Sequence, residues 1–137
     1  MIYEHFSDLP ANEWSWPHFS PEEVSCRCCG ELYLDLVFMD YLEHLRELSG
    51  RAVQLYSGHR CALHNARVGG APLSEHKKIA ADVGLAGHVP LKLLADAKKA
   101  GFRSFGFYKT FLHMDRRQGR RWYAKGAREI WNGSRIS

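Results

Sequence analysis

A chain of 137 residues with 45% apolar and 12% aromatic side chains is long enough to bury one core and too apolar to be disordered. No apolar run approaches the roughly 18 residues of a helical membrane span. The formal charge of +4 and the pI near 9.0 favour an anionic partner such as nucleic acid or bacterial cell wall, with a solvated basic tail as the plain alternative.

The N-terminus, Met1-Ile2-Tyr3-Glu4-His5-Phe6, has neither a basic n-region nor an apolar h-region. The expectation is synthesis in the cytoplasm without a signal peptide. Residues 1–19, with Trp14, Trp16, Pro17 and Phe19, read as an irregular arm packed on a single domain spanning 1–137. Ser20-Pro21-Glu22-Glu23 is a helix start, with an N-cap serine, proline at the first helical position and an acidic first turn. It runs into Cys26-Arg27-Cys28-Cys29-Gly30, which lacks the two-residue gaps of a zinc knuckle or redox motif. Reduced, partly buried thiols are the favoured reading. Three close cysteines could still bind metal with a ligand from elsewhere, and Cys61 could pair with one of them.

Apolar residues at 34, 38, 41, 42, 45 and 48 predict a helix over 35–48, closed by Gly50. A strand follows over 52–57, then the turn Gly58-His59-Arg60 and a helical stretch over 61–67. Gly69-Gly70 breaks it, and a loop carries Ser74 and His76 into a strand over 79–83. Pro90 opens a helix to Ala100, closed by Gly101, and two strands follow over 104–108 and 110–115. Residues 116–137 form a basic segment with Trp122 and Trp131 as anchors. Adjacent late strands favour antiparallel pairing. The class is α+β, a small antiparallel sheet with helices packed on it.

His76 and Asp82 bracket a polar turn, and His113 lies within a strand. Two imidazoles and a carboxylate, if brought together, make a three-ligand zinc site with a fourth position open. Isolated histidines are more often structural, so the spacing alone does not decide.

From about Phe19 to Trp122 the chain resembles the bacterial zinc D-Ala-D-Ala carboxypeptidase and peptidoglycan endopeptidase family, whose fold is shared with Hedgehog signalling domains. Four segments carry the resemblance in order: Phe19–Glu23 leading to the cysteines, Tyr56-Ser57-Gly58-His59-Arg60, Ser74-Glu75-His76 through Ala80-Ala81-Asp82, and Phe111-Leu112-His113-Met114-Asp115. The resemblance implies His76, Asp82 and His113 as ligands of Zn2+, an ion that polarises a scissile carbonyl and activates water. It implies Arg60 as the arginine that steadies the polarised carbonyl or holds a substrate carboxylate. Ser74 either orients His76 or is an ordinary turn serine, and His59, where relatives carry tyrosine, is a further polar candidate for the substrate.

Two departures stand out. Most relatives have a seven-residue step with a glycine between histidine and aspartate, whereas here the step from His76 to Asp82 is six and Lys77-Lys78-Ile79 has no glycine. Many relatives also place an acidic base shortly before the last histidine, where this chain has Phe107, Tyr108 and Thr110. Asp115 is the remaining acid. Strand alternation puts it on the same face as His113, where it serves as base or supports that histidine.

The expected function is a zinc peptidase on peptidoglycan stem peptides, acting at the cell wall or from a phage-like particle. The alternative is a non-catalytic cell-wall-binding or structural particle protein retaining the fold. Nucleic acid is the weakest partner, because no recognisable binding motif accompanies the arginines.

Overall fold

The apolar stripe expected over 35–48 forms helix α2, Leu36–Ser49, in a computed structural model that describes residues 1–71 and 74–133. Asp35 caps it, accepting from the Phe38 N–H at 3.0 Å, and Gly50 ends it in the left-handed region at φ 65°. Phe38, Met39, Leu42 and Leu45 on its inner face are at most 1% exposed. The expected second long helix is α4, Pro90–Ala100, and the two pack on one another.

These helices lie over a five-stranded sheet built from β3 (Leu55–Ser57), β4 (Ala81–Gly84), β5 (Ser104–Phe107), β6 (Phe111–Asp115) and β7 (Arg121–Tyr123). The strand order is β3-β4-β6-β5-β7. The first three pairings are antiparallel, as expected, but β7 runs parallel to β5. Ala81, Val83, Phe105, Phe107, Leu112 and Met114 form one buried set across the registered strands. Each fully buried large side chain there contributes about 1.5–3 kcal/mol. Alternation turns Asp82, His113 and Asp115 to the opposite face.

Several boundaries move. The strand expected over 52–57 is confined to Leu55–Ser57, and the one expected over 79–83 begins at Ala81. The arm of residues 1–19 is more regular than expected: β1 (Ile2–Tyr3) pairs antiparallel with β2 (Leu32–Tyr33), and 3-10 turns follow at Phe6–Asp8 and Ala11–Glu13. Helix α1, Pro21–Val24, has the expected Ser20 cap, completed by Glu23 as a capping box. Helix α3 is Ala62–Arg67.

The basic segment from 116 on is not a solvated tail over its described part. Arg116 reaches Asp35 at 2.8 Å, Arg117 reaches Asp115 at 2.7 Å, and β7 joins the sheet. Helix α5, Ala127–Gly133, buries Trp131 edge-on against Phe107, with its Nε1–H donating to the Tyr108 carbonyl at 3.0 Å.

Candidate metal centre

Asp82 on β4 and His113 on β6 are direct register partners, so their side chains rise together from one face of the sheet. His76 comes to them from the 3-10 turn Glu75–Lys77, where Ser74 Oγ accepts from the His76 backbone N–H at 3.2 Å. His76 Nε2 and His113 Nδ1 each lie 3.0 Å from Asp82 Oδ1 and 3.2 Å from one another. The turn and the residues after it absorb the shortened step, bringing Asp82 to His76 without the glycine.

The outer imidazole nitrogens are both tied. His76 Nδ1–H donates to the Gly58 carbonyl at 2.6 Å, and His113 Nε2–H donates to Asp115 Oδ2 at 2.6 Å. A carbonyl can only accept, so the His76 proton sits on Nδ1, and an ionised Asp115 fixes the tautomer of His113 likewise. Two lone pairs and a carboxylate oxygen therefore converge at about 3 Å. Three acceptors so close are unfavourable without a proton or a cation among them. A zinc ion with bonds of about 2.0–2.1 Å holds its ligand atoms roughly 3.3 Å apart, so the donor set fits that ion.

The electrostatics of the cluster follow from its burial and contacts. Burial acts to raise the Asp82 carboxyl, but hydrogen bonds from His113 and His76 overcome it and hold the group well below the carboxylate range. Burial acts to lower His113, and the bonds to Asp115 and Asp82 outweigh it, leaving His113 raised. Asp115 is held low against its burial by His113 and Arg117.

The trio opens into a cavity of about 650 Å³ whose wall includes Arg60, Ser74, Glu75, Tyr108, Arg117, Arg120 and Trp122. Arg60 arrives from the turn after β3, with its backbone N–H donating to the His76 carbonyl at 2.5 Å. Its Nε is buried with no hydrogen-bond partner among the described residues. Burial lowers its pKa, and the Asp82 charge opposes that. Such a donor suits a ligand oxygen.

Two expected roles change with placement. Asp115 is 0% exposed and lies behind His113, accepting from His113 and from the Arg117 N–H, Nε and Nη2. Its oxygens are engaged and it is not on the cavity wall, a placement that suits the second of its two expected roles, support of His113, better than that of base. His59 is 1% exposed, bonded through Nε2 to Glu31 Oε1 at 2.7 Å and through Nδ1 to the Lys78 carbonyl. It holds two loops together and does not line the cavity.

The sequence reading assigned no site role to Glu75, Tyr108, Arg117, Arg120 or Trp122. Glu75 directly precedes a candidate ligand, which is a usable signal. Trp122 lies over Gly106 of the neighbouring strand, stands 5.0 Å from His113 ring to ring, and donates from Nε1 to the Tyr108 hydroxyl at 3.1 Å. A side chain at Gly106 would put its Cβ 2.4 Å from the indole, so glycine is what admits the ring there. Among the other histidines, His5 caps a 3-10 turn, His18 bonds Glu43, and His88 Nε2–H donates to the Ala52 carbonyl at 2.9 Å.

The family model described as Peptidase M15 matches residues 17–115, which include the turn of Arg60 and all three candidate ligands. Among curated proteins, none matches the chain.

Proposed function

The chain belongs to the peptidase M15 family, and from that premise we propose that it is a zinc-dependent peptidase that hydrolyses the stem peptides of peptidoglycan. The observation that carries this reading is the convergence of His76 Nε2, Asp82 Oδ1 and His113 Nδ1 at 3.0–3.2 Å beside an open cavity. Zn2+ held by these three atoms would supply the Lewis acid for the scissile carbonyl and activate the attacking water.

The chain's own residues supply the rest. Arg60 donates to the carbonyl oxygen as it gains charge, or to a substrate carboxylate, through a guanidinium donor that is otherwise unmatched. Glu75 is the only carboxylate besides Asp82 on the described cavity wall. We assign it the proton transfer from water to the leaving amine, the task expected of Asp115. Arg120 adds positive charge to the wall beside Arg117, whose own charge is paired with Asp115, and this suits stem peptides because these carry several carboxylates. Trp122 covers one side of His113 and limits water there. Action at the cell wall, delivered from a phage-like particle, is consistent with that substrate.

The test is mass spectrometry of stem-peptide digests with and without chelator. The expected result is one cleaved amide, lost on chelation and restored by zinc. Glu75→Gln should lower kcat by about 10²–10⁴-fold with zinc content unchanged, and Arg60→Ala should lose activity while keeping zinc. Zinc binding with no cleavage of any stem peptide would replace this reading with a cell-wall-binding or particle structural protein. Salt-sensitive DNA binding by a metal-free chain would remove both.

A further inference from the structure

The four cysteines of the chain form a second convergence, independent of the first. The Sγ atoms of Cys26, Cys28, Cys29 and Cys61 all lie within 4.8 Å of one another. Cys28 Sγ is 3.5 Å from Cys26 Sγ and 3.4 Å from Cys61 Sγ. A disulfide needs about 2.05 Å. A tetrahedral ion with Zn–S bonds of about 2.3 Å sets its sulfurs roughly 3.8 Å apart, and the cluster is gathered on that scale.

The backbone is arranged to present these sulfurs. The Cys26 N–H donates to the Glu31 carbonyl at 2.7 Å, and the Gly30 N–H donates to the Cys26 carbonyl at 2.8 Å. Gly30 closes this loop at φ 78°, a left-handed conformation, and a Cβ there would meet the His5 ring at 2.6 Å. The tight turn brings residues 26, 28 and 29 to one centre although their spacing is not that of a paired knuckle. Cys61 arrives from 33 positions beyond Cys28. Backbone donors already point at sulfur: the Cys61 N–H to Cys26 Sγ and the His64 N–H to Cys61 Sγ, both at 3.4 Å. Such donors stabilise thiolate charge. Cys26 is buried while Cys28 and Cys29 are exposed, so an ion has a path in.

We propose that Cys26, Cys28, Cys29 and Cys61 bind a structural zinc ion as a closed tetrathiolate, separate from the centre at His76, Asp82 and His113. Four soft sulfur ligands select zinc over hard cations and leave no open position for substrate. The ion ties the segment after α1 to the turn Gly58–Arg60. That turn supplies the Gly58 carbonyl to His76 and the Arg60 side chain to the cavity. The site therefore positions catalytic groups without touching substrate.

The full chain, purified under reducing conditions and loaded with Co2+, tests this. The expected spectrum has an intense near-ultraviolet thiolate-to-cobalt band, which the His76, Asp82 and His113 centre cannot produce because it has no sulfur. That band should persist in His76→Ala, which disables only the other centre, and disappear in Cys28→Ser/Cys61→Ser. The chain as purified should carry about two zinc ions, and about one in either variant. Cobalt-loaded wild type without the charge-transfer band would overturn the proposal. So would a native mass about 2 Da below the reduced chain, which marks a disulfide. Iron in place of zinc in the purified chain would overturn the choice of ion. Since the wild-type spectrum decides the matter, a misfolded cysteine variant does not blunt the test, and loss of peptidase activity plays no part in it.

Discussion

His113 carries two constraints at once. Its Nε2–H is spent on Asp115, so its Nδ1 lone pair must face Asp82 and His76. Asp115→Asn keeps the shape but removes the charge that fixes the tautomer and raises ligand basicity. Zinc affinity of that centre should fall by about 10- to 100-fold, read by competition with a chromophoric chelator. The pH dependence of the chelated protein follows from the raised pKa of His113. A raised group contributes stability that is fully present below its unfolded value of about 6.5 and is lost as pH rises through the folded value. The urea midpoint of chelated protein should therefore rise as pH is lowered through the raised value of His113 towards about 6.5. Zinc-loaded protein should gain nothing over that range, since protons compete with the ion for Nδ1. An unchanged midpoint in the chelated chain would mean that the proton does not stand in for the cation.

Alternation along β6 separates structure from chemistry by single residues: Leu112 and Met114 enter the core, while on the other face His113 lines the cavity and Asp115 lies buried behind it. Register does the same between strands, setting Asp82 opposite His113 and Gly106 on its other flank. Gly106→Ala would push the added methyl into the Trp122 ring. The expected cost is about 1–3 kcal/mol in urea unfolding, together with a raised KM as Trp122 leaves the cavity wall, while zinc content holds. At α2 the same logic is purely structural. Leu42 is 0% exposed, and Leu42→Ala should cost about 2–5 kcal/mol with no change in metal stoichiometry.

Across the whole molecule, the candidate centre is held by segments far apart in sequence: a turn at 58–60, a turn at 74–77 and two strands. Metal bound only to the folded state should stabilise it by about 4 kcal/mol at a thousandfold excess over Kd. Chelation should lower Tm as well as abolish cleavage, and a chelator-insensitive Tm would argue against an ion in that position. The sequence by itself determined the helices, because periodicity, Ser20, Asp35, Pro90 and the glycines at 50 and 101 are local signals. It also determined which side chains could bind metal, since ligand chemistry belongs to the residue. Only the tertiary structure decided that a six-residue step brings Asp82 to His76, that Asp115 lies behind His113, that His59 turns inward, and that the arginine-rich segment returns as β7 to complete the cavity. Those outcomes depend on strand register and long-range pairing, which no local pattern encodes, because the partners meet only when the chain has folded.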